Sequence, residues 1–124
     1  MNNSSCPPLR NLLTSTSIVF LTVTPEEFKA ATERLRTKVA HVLISDGGAG
    51  AWFDGEFVSA PEVEVADTTA AGDTLLAEYC WQRFGRSAST AEAGRWAVAA
   101  GSAACTMPGG APPAPAYVSS LVGL

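Results

Sequence analysis

The run Asp67-Thr68-Thr69-Ala70-Ala71-Gly72-Asp73 places three small residues directly before a carboxylate. It lies where a short apolar run at 63–66 gives way to a helical pattern at 75–84. Tiny side chains at such a turn leave backbone N–H groups bare at a helix N-terminus. There the unpaired amides and the macrodipole favour an anion. A carboxylate at Asp73 beside bound phosphate is costly unless it handles a proton. An anion cradle next to a base is the equipment of phosphoryl transfer. A plainer reading fits the same residues: Asp73 as a helix N-cap, with the small residues serving only the bend. The local pattern leaves both open.

Two further segments carry residue types of interest. Ser45-Asp46-Gly47-Gly48-Ala49-Gly50 follows an apolar run and suits either a ligand loop or a simple turn. It matches neither GxGxxG nor the Gly-Lys-Ser/Thr ending of a P-loop, so neither nucleotide fingerprint applies. The small-residue stretch 97–106 leads into Met107-Pro108-Gly109-Gly110, a helix running into a glycine loop.

These segments need elements to position them. Residues 1–17 are polar, with Pro7-Pro8 and a Ser/Thr cluster, and read as a loose leader. The β-branched run 18–23 predicts a buried strand. Thr24 fits an N-cap, with Pro25 at the first helical position and Glu27 closing a capping box. That helix is expected to reach residue 37 and to bury Phe28, Ala31 and Leu35. A second buried strand spans 41–45. Asp54-Gly55 between 51–53 and 56–58 is the signature of a two-residue hairpin. Alternation at 63–66 predicts another strand, followed by a helix over 75–84 that stops at Gly85. Ser89-Thr90-Ala91-Glu92 is a capping box opening a helix over 91–105, which must end before Pro108. An irregular loop at 109–113 and a last helical turn at 117–121 complete an α/β layered domain.

Composition narrows the function classes. At 124 residues, 47% hydrophobic and 16% charged, the chain is one compact domain. A net charge of −4 without a basic run argues against nucleic acid or anionic membrane as partner. No apolar stretch approaches the roughly 20 residues that span a bilayer, and 12–23 lacks the flanks of a signal peptide. Cys6, Cys80 and Cys105 are odd in number, far apart and without CxxC spacing, which argues against a metal site or a disulfide framework. Cys80 and Cys105 read as small core residues in a reducing cytoplasm. His41, the single histidine, has no nucleophile partner in a recognisable arrangement and reads as structural. Trp52, Trp81 and Trp96 read as core or interface packing, and Glu26-Glu27 as charge complementing a helix N-terminus.

Taken together, the DTTAAGDT run at 67–74, the SDGGAG loop at 45–50, the hairpin at 51–58 and the segment 97–110 resemble the C-terminal part of the ribokinase-like (PfkB) carbohydrate kinases. The resemblance covers residues 18–122. It implies the C-terminal portion of a ribokinase-like three-layer α/β sandwich with a β-hairpin, ATP as phosphate donor, and a sugar hydroxyl as acceptor. Carried over by position, Asp73 would be the general base, and Ala70, Ala71 and Gly72 the backbone anion hole. Ser45, Asp46, Gly47, Gly48, Ala49 and Gly50 would contact ATP, with the adenine between that loop and Val98. Asp67, Thr69 and Gly109 would mark a monovalent-cation site, with K⁺ as candidate, and Mg²⁺ would arrive with the nucleotide. Asp67-Thr68-Thr69 is more typical of the sugar branch than of the hydroxymethylpyrimidine or pyridoxal branch.

The chain also departs from the family. Val98 stands where an Asn often flanks the adenine, and Met107 where many relatives carry Arg. Ala104 and Pro113 replace side chains able to offer oxygens to a cation. In the family the sugar pocket and lid strands precede the segment matched here. Residues 18–124 are therefore expected to be the nucleotide and phosphate half of a kinase, acting as a homodimer or with an N-terminal half. The alternative expectation is a non-catalytic nucleotide-binding subunit.

Overall fold

The computed structural model describes residues 18–22, 25–35 and 37–123. The leader at 1–17 with Cys6, the N-cap at Thr24, and the Phe28 and Ala31 side chains lie outside the described residues.

Four strands form one sheet in the order β1-β2-β3-β4. They are β1 (Ile18–Thr22), β2 (His41–Asp46), β3 (Gly50–Phe53) and β4 (Glu56–Ser59). β1 runs parallel to β2, with Ile18 opposite His41. A parallel pair needs a crossover, and α1 (Pro25–Leu35) supplies it. The other two pairings are antiparallel. Between β3 and β4, Asp54 and Gly55 both take positive φ, 53° and 93°. That is the mirror-image turn whose twist matches a hairpin, and Asp-Gly tolerates it best.

β2 is buried along both faces, with Val42, Leu43 and Ile44 all at 1% exposure or less. Alternation sends Leu43 to the core shared with Phe53, Tyr79 and Ala97. Val42 and Ile44 point to the opposite face, and α1 packs on β2. The result is the three-layer α/β sandwich expected from the sequence.

The helical layer contains α2 (Ala71–Cys80), α3 (Thr90–Cys105) and α4 (Pro115–Val122). The α3 helix begins at Ser89, whose side chain accepts a hydrogen bond from the Glu92 N–H at 3.2 Å. Nine of its sixteen residues are Ala or Gly, and residues on all its sides are buried. Helices apolar all round belong inside, and small side chains let the sheet, α2 and α4 approach closely. A Cβ at Gly94 would lie 2.8 Å from the Phe53 ring. One at Gly101 would lie 3.3 Å from the Ala71 carbonyl oxygen, so Gly101 sets how closely the start of α2 rests on α3.

Several expectations need correction. Residues 63–66 form no strand: the Ala66 and Asp67 N–H groups donate to the Cys105 carbonyl, at 2.7 and 3.0 Å. Their donors are satisfied by the end of α3 instead of a ladder, and three alternating residues are too few to require one. The α2 helix begins at Ala71, ahead of the predicted start, and its ladder opens with the Thr74 N–H donating to Ala70 at 3.0 Å. Its last part, Trp81–Gly85, widens into a π turn, closed by Arg86 N–H to the Trp81 carbonyl at 2.9 Å. α1 ends at Leu35, where Lys38 and Val39 both donate to the Leu35 carbonyl. Trp81 is 58% exposed rather than core. Cys80 and Cys105 are half-buried free thiols, not core residues, and burial raises both their pKa values. Among the described residues, no helix is long and apolar enough to cross a membrane.

Candidate active site

A cleft of about 500 Å³ opens where the loop after β2, the segment 60–68, the start of α2 and one side of α3 converge. Ser45, Gly47, Gly48 and Gly50 form one wall. Gly47 and Gly50 take φ values of 50° and 140°. A Cβ at Gly50 would fall 2.2 Å from the Val58 carbonyl oxygen, so only glycine lets the loop pass this close to β4. Asp46 ends β2, and Ala49 accepts a hydrogen bond from the Ala60 N–H at 3.1 Å; neither is a cleft wall.

The opposite wall comes from α3. Val98, Gly101, Ser102 and Cys105 all face the cleft. Their spacing of three, four and seven residues is that of one helix face. Of these, only Val98 was singled out in the sequence; stepping along its helix face would have found the other three. Thr68 and Glu62 also line the cleft without having been singled out. An open hollow of about 640 Å³ lies against Glu33, Arg34, Leu35, Thr37 and Lys38 at the end of α1, away from every motif residue.

Ala71 and Gly72 close the cleft at the first turn of α2. Amides of a first helical turn precede any acceptor four residues back. The Ala71 N–H turns to the Thr68 carbonyl at 3.2 Å. A Cβ at Gly72 would lie 3.4 Å from the Phe20 ring of β1. Asp73 is the third residue of this turn and is exposed, so it is not the N-cap, a position held by Ala70. Ala70 in turn faces the glycine loop after α3: a Cβ at Gly110 would sit 3.7 Å from its own.

Asp67 joins the two loops. One carboxylate oxygen accepts from the Thr69 N–H at 2.9 Å and from the Thr69 hydroxyl. The other accepts the Gly109 N–H at 3.1 Å, across 42 residues. These bonds, led by the Thr69 hydroxyl, hold the Asp67 pKa below its ordinary value of 3.8. Asp67, Thr69 and Gly109, paired in the sequence reading, thus form one cluster. It lies beside the cleft rather than in its walls. Among the described residues, no three His, Cys, Asp or Glu side chains gather as a metal site.

The sequence model of the pfkB family of carbohydrate kinases matches residues 11–116. No curated protein matches the chain by sequence. Among solved structures, the chain is similar to the ribokinase of Arabidopsis thaliana complexed with ribose and ATP. Identity is 27% and the TM-score 0.74, over 91% of this chain and 43% of that one. It is similar to phosphofructokinase-2 of Escherichia coli in complex with potassium, at 21% identity and TM-score 0.75, over 90% and 41%. It is also similar to an Escherichia coli protein assigned as ribokinase II, in complex with ATP and Mg²⁺, at 26% identity and TM-score 0.65, over 82% and 37%. The chain spans about two fifths of the length of these relatives.

Proposed function

This chain belongs to the pfkB family of carbohydrate kinases, and on that premise we propose that it serves ATP-dependent phosphoryl transfer to a sugar hydroxyl. Residues 18–124 supply the nucleotide and phosphate half of the site. One observation carries the reading: Ala71 and Gly72 wall the same cleft as the Ser45–Gly50 loop and Val98. A nucleotide with its base against Val98 would direct its phosphates to the first turn of α2.

Each residue then has a task. Val98 and the glycines of the 45–50 loop receive the flat base, since glycine leaves the backbone open to close approach. The amides at Ala70, Ala71 and Gly72 would meet the developing phosphate charge, that of Ala71 on leaving the Thr68 carbonyl. Asp73 takes the proton from the attacking hydroxyl. Mg²⁺, if brought with the nucleotide, would supply charge compensation at the phosphate oxygens. A carboxylate has about four lone-pair sites, and three donors occupy those of Asp67. One site is left for K⁺, whose other ligands would be carbonyls, with Thr69 and Gly109 the candidates. The free thiols at Cys80 and Cys105 suit the cytoplasm.

ATP consumption with a panel of sugars, wild type against Asp73→Asn, tests the central role. The expected loss is about 10²- to 10⁴-fold, the usual contribution of general acid–base catalysis, with ATP binding retained. Equal rates in both proteins would remove Asp73 from the chemistry.

A second reading is nucleotide binding without turnover, as a subunit that works with a separate sugar-binding half or a second copy. It is favoured by where the described features cluster, all of them at the nucleotide and phosphate end. Calorimetry with ATP separates the readings: binding with no turnover supports the second, and robust turnover by the chain alone rejects it.

A further inference from the structure

The face that α3 turns to the cleft carries a single hydroxyl. Val98 and Gly101 have no polar side-chain atom, and the Cys105 thiol is only a weak donor. Ser102 is the exception. Hydroxyls on helices often turn back to a carbonyl of the preceding turn. Two do so here: Thr106 donates to the Ala103 carbonyl and Ser120 to the Tyr117 carbonyl, both at 2.7 Å. Half-buried Ser102 does not, and among the described residues its hydroxyl has no hydrogen-bond partner. Alanine, its neighbour at 99, 100, 103 and 104, suits a helix better. The hydroxyl therefore serves neither the helix nor the core, and it is available to whatever fills the cleft.

Its place on the helix says which part of a ligand it meets. The start of α2 rests on Gly101, where a Cβ would lie 3.3 Å from the Ala71 carbonyl oxygen. One residue further on lies about 100° further round the helix. Ser102 is thus turned away from α2, and so from the phosphate end of the cleft. The other polar side chains among the described walls are Ser45, Glu62 and Thr68. Ser45 already has a partner, Thr68 leads into α2, and a carboxylate such as Glu62 can only accept.

Resting on the nucleotide reading above, we propose that Ser102 determines the base specificity of the phosphate donor, and that it does so permissively. Adenine and hypoxanthine differ at the exocyclic group of the six-membered ring, an amino donor in one and a carbonyl acceptor in the other. A serine hydroxyl rotates, so it accepts from the first and donates to the second. ATP and inosine triphosphate then bind alike. Purine riboside triphosphate carries only hydrogen at that place and leaves the hydroxyl unpaired, so it binds more weakly.

The test is calorimetric titration of the full chain with the Mg²⁺ complexes of these three triphosphates, for wild type and Ser102→Ala, with folding checked by circular dichroism. Wild type is expected to bind ATP and inosine triphosphate within about threefold of each other. Purine riboside triphosphate should bind about five- to tenfold more weakly, the weight of one hydrogen bond. Ser102→Ala should bring the first two down to the level of the third and leave the third unchanged. A larger preference between ATP and inosine triphosphate would overturn the inference while leaving the nucleotide reading intact. So would a Ser102→Ala effect that is the same for all three ligands, zero included. No binding of any of the three by folded wild type would instead remove the nucleotide reading, and this inference with it.

Discussion

Asp54 at the hairpin end of the sheet and Asp67 at the cleft end both accept backbone N–H groups, yet their surroundings differ. The Asp54 side chain is 15% exposed; one oxygen accepts the Val42 N–H at 2.7 Å and the other meets His41 Nδ1 at 3.1 Å. Its own N–H donates to the Val42 carbonyl at 2.8 Å. Next to it Phe53 stacks on Tyr79 at 4.9 Å, and His41 meets the edge of Phe84 at 5.0 Å. The Asp67 carboxylate accepts three bonds, two from Thr69 in its own loop and one from Gly109 in the next, all at an exposed position. One end therefore uses its carboxylate to fix a turn against a dry core. The other keeps the anion-facing loop positioned by bonds that water can replace. Local stability is not uniform within a domain, and sites that admit ligands come from its weaker parts.

Breaking the dry end should have the largest effect. Phe53→Ala removes a fully buried ring from between Gly94 and Tyr79. It should cost about 3–5 kcal/mol, a large share of the roughly 5–15 kcal/mol that holds a domain folded. Urea denaturation measures it; a loss under 1 kcal/mol would mean that the core is not centred there.

Gly50→Ala probes whether the cleft end contains a rigid part after all. The added methyl collides with the Val58 carbonyl, and φ of 140° suits glycine. Strain and overpacking together should cost about 2–4 kcal/mol. Adenosine binding should fall with stability, because Gly50 walls the cleft and starts β3. Unchanged stability would place the backbone of this loop elsewhere.

Asp54→Ala is smaller. It strands the Val42 N–H in a half-buried corner, a loss of about 1–2 kcal/mol, again read by denaturation. Nucleotide binding should not change, because none of these partners borders the cleft. A binding loss equal to that of Gly50→Ala would dissolve the distinction between the two ends.

The hairpin and the α3 cap were legible because each is local: Asp54-Gly55 dictates its turn, and Ser89 its helix start. The pairing of Asp67 with Gly109 was legible only through family resemblance, since 42 residues separate them and no periodicity links them. The cleft wall of α3 was half legible. Val98 was singled out, but Gly101, Ser102 and Cys105 look like ordinary members of a small-residue helix until its face is known. The false strand at 63–66 shows the reverse limit: alternation predicts extended backbone, whereas hydrogen bonding depends on what lies alongside, here the carbonyl of Cys105.

The smallest expected effect belongs to Asp67, and it should appear in local opening rather than in global stability. Its folded pKa lies below 3.8 because Thr69 and Gly109 donate to the ionised form. The stabilisation is therefore complete above the unfolded value and fades as pH falls through the lower, folded one. Below about pH 4, hydrogen exchange at the Thr69 and Gly109 amides should quicken while the amide of Ile44, inside the sheet between β1 and β3, stays protected. Asp67→Asn keeps the shape but offers one acceptor oxygen, so it should speed exchange at one of the two amides at neutral pH. It should also abolish the acid dependence there. Exchange that tracks Ile44 at every pH would mean that the loops open only with the whole fold, and that the two ends of the sheet are equally rigid.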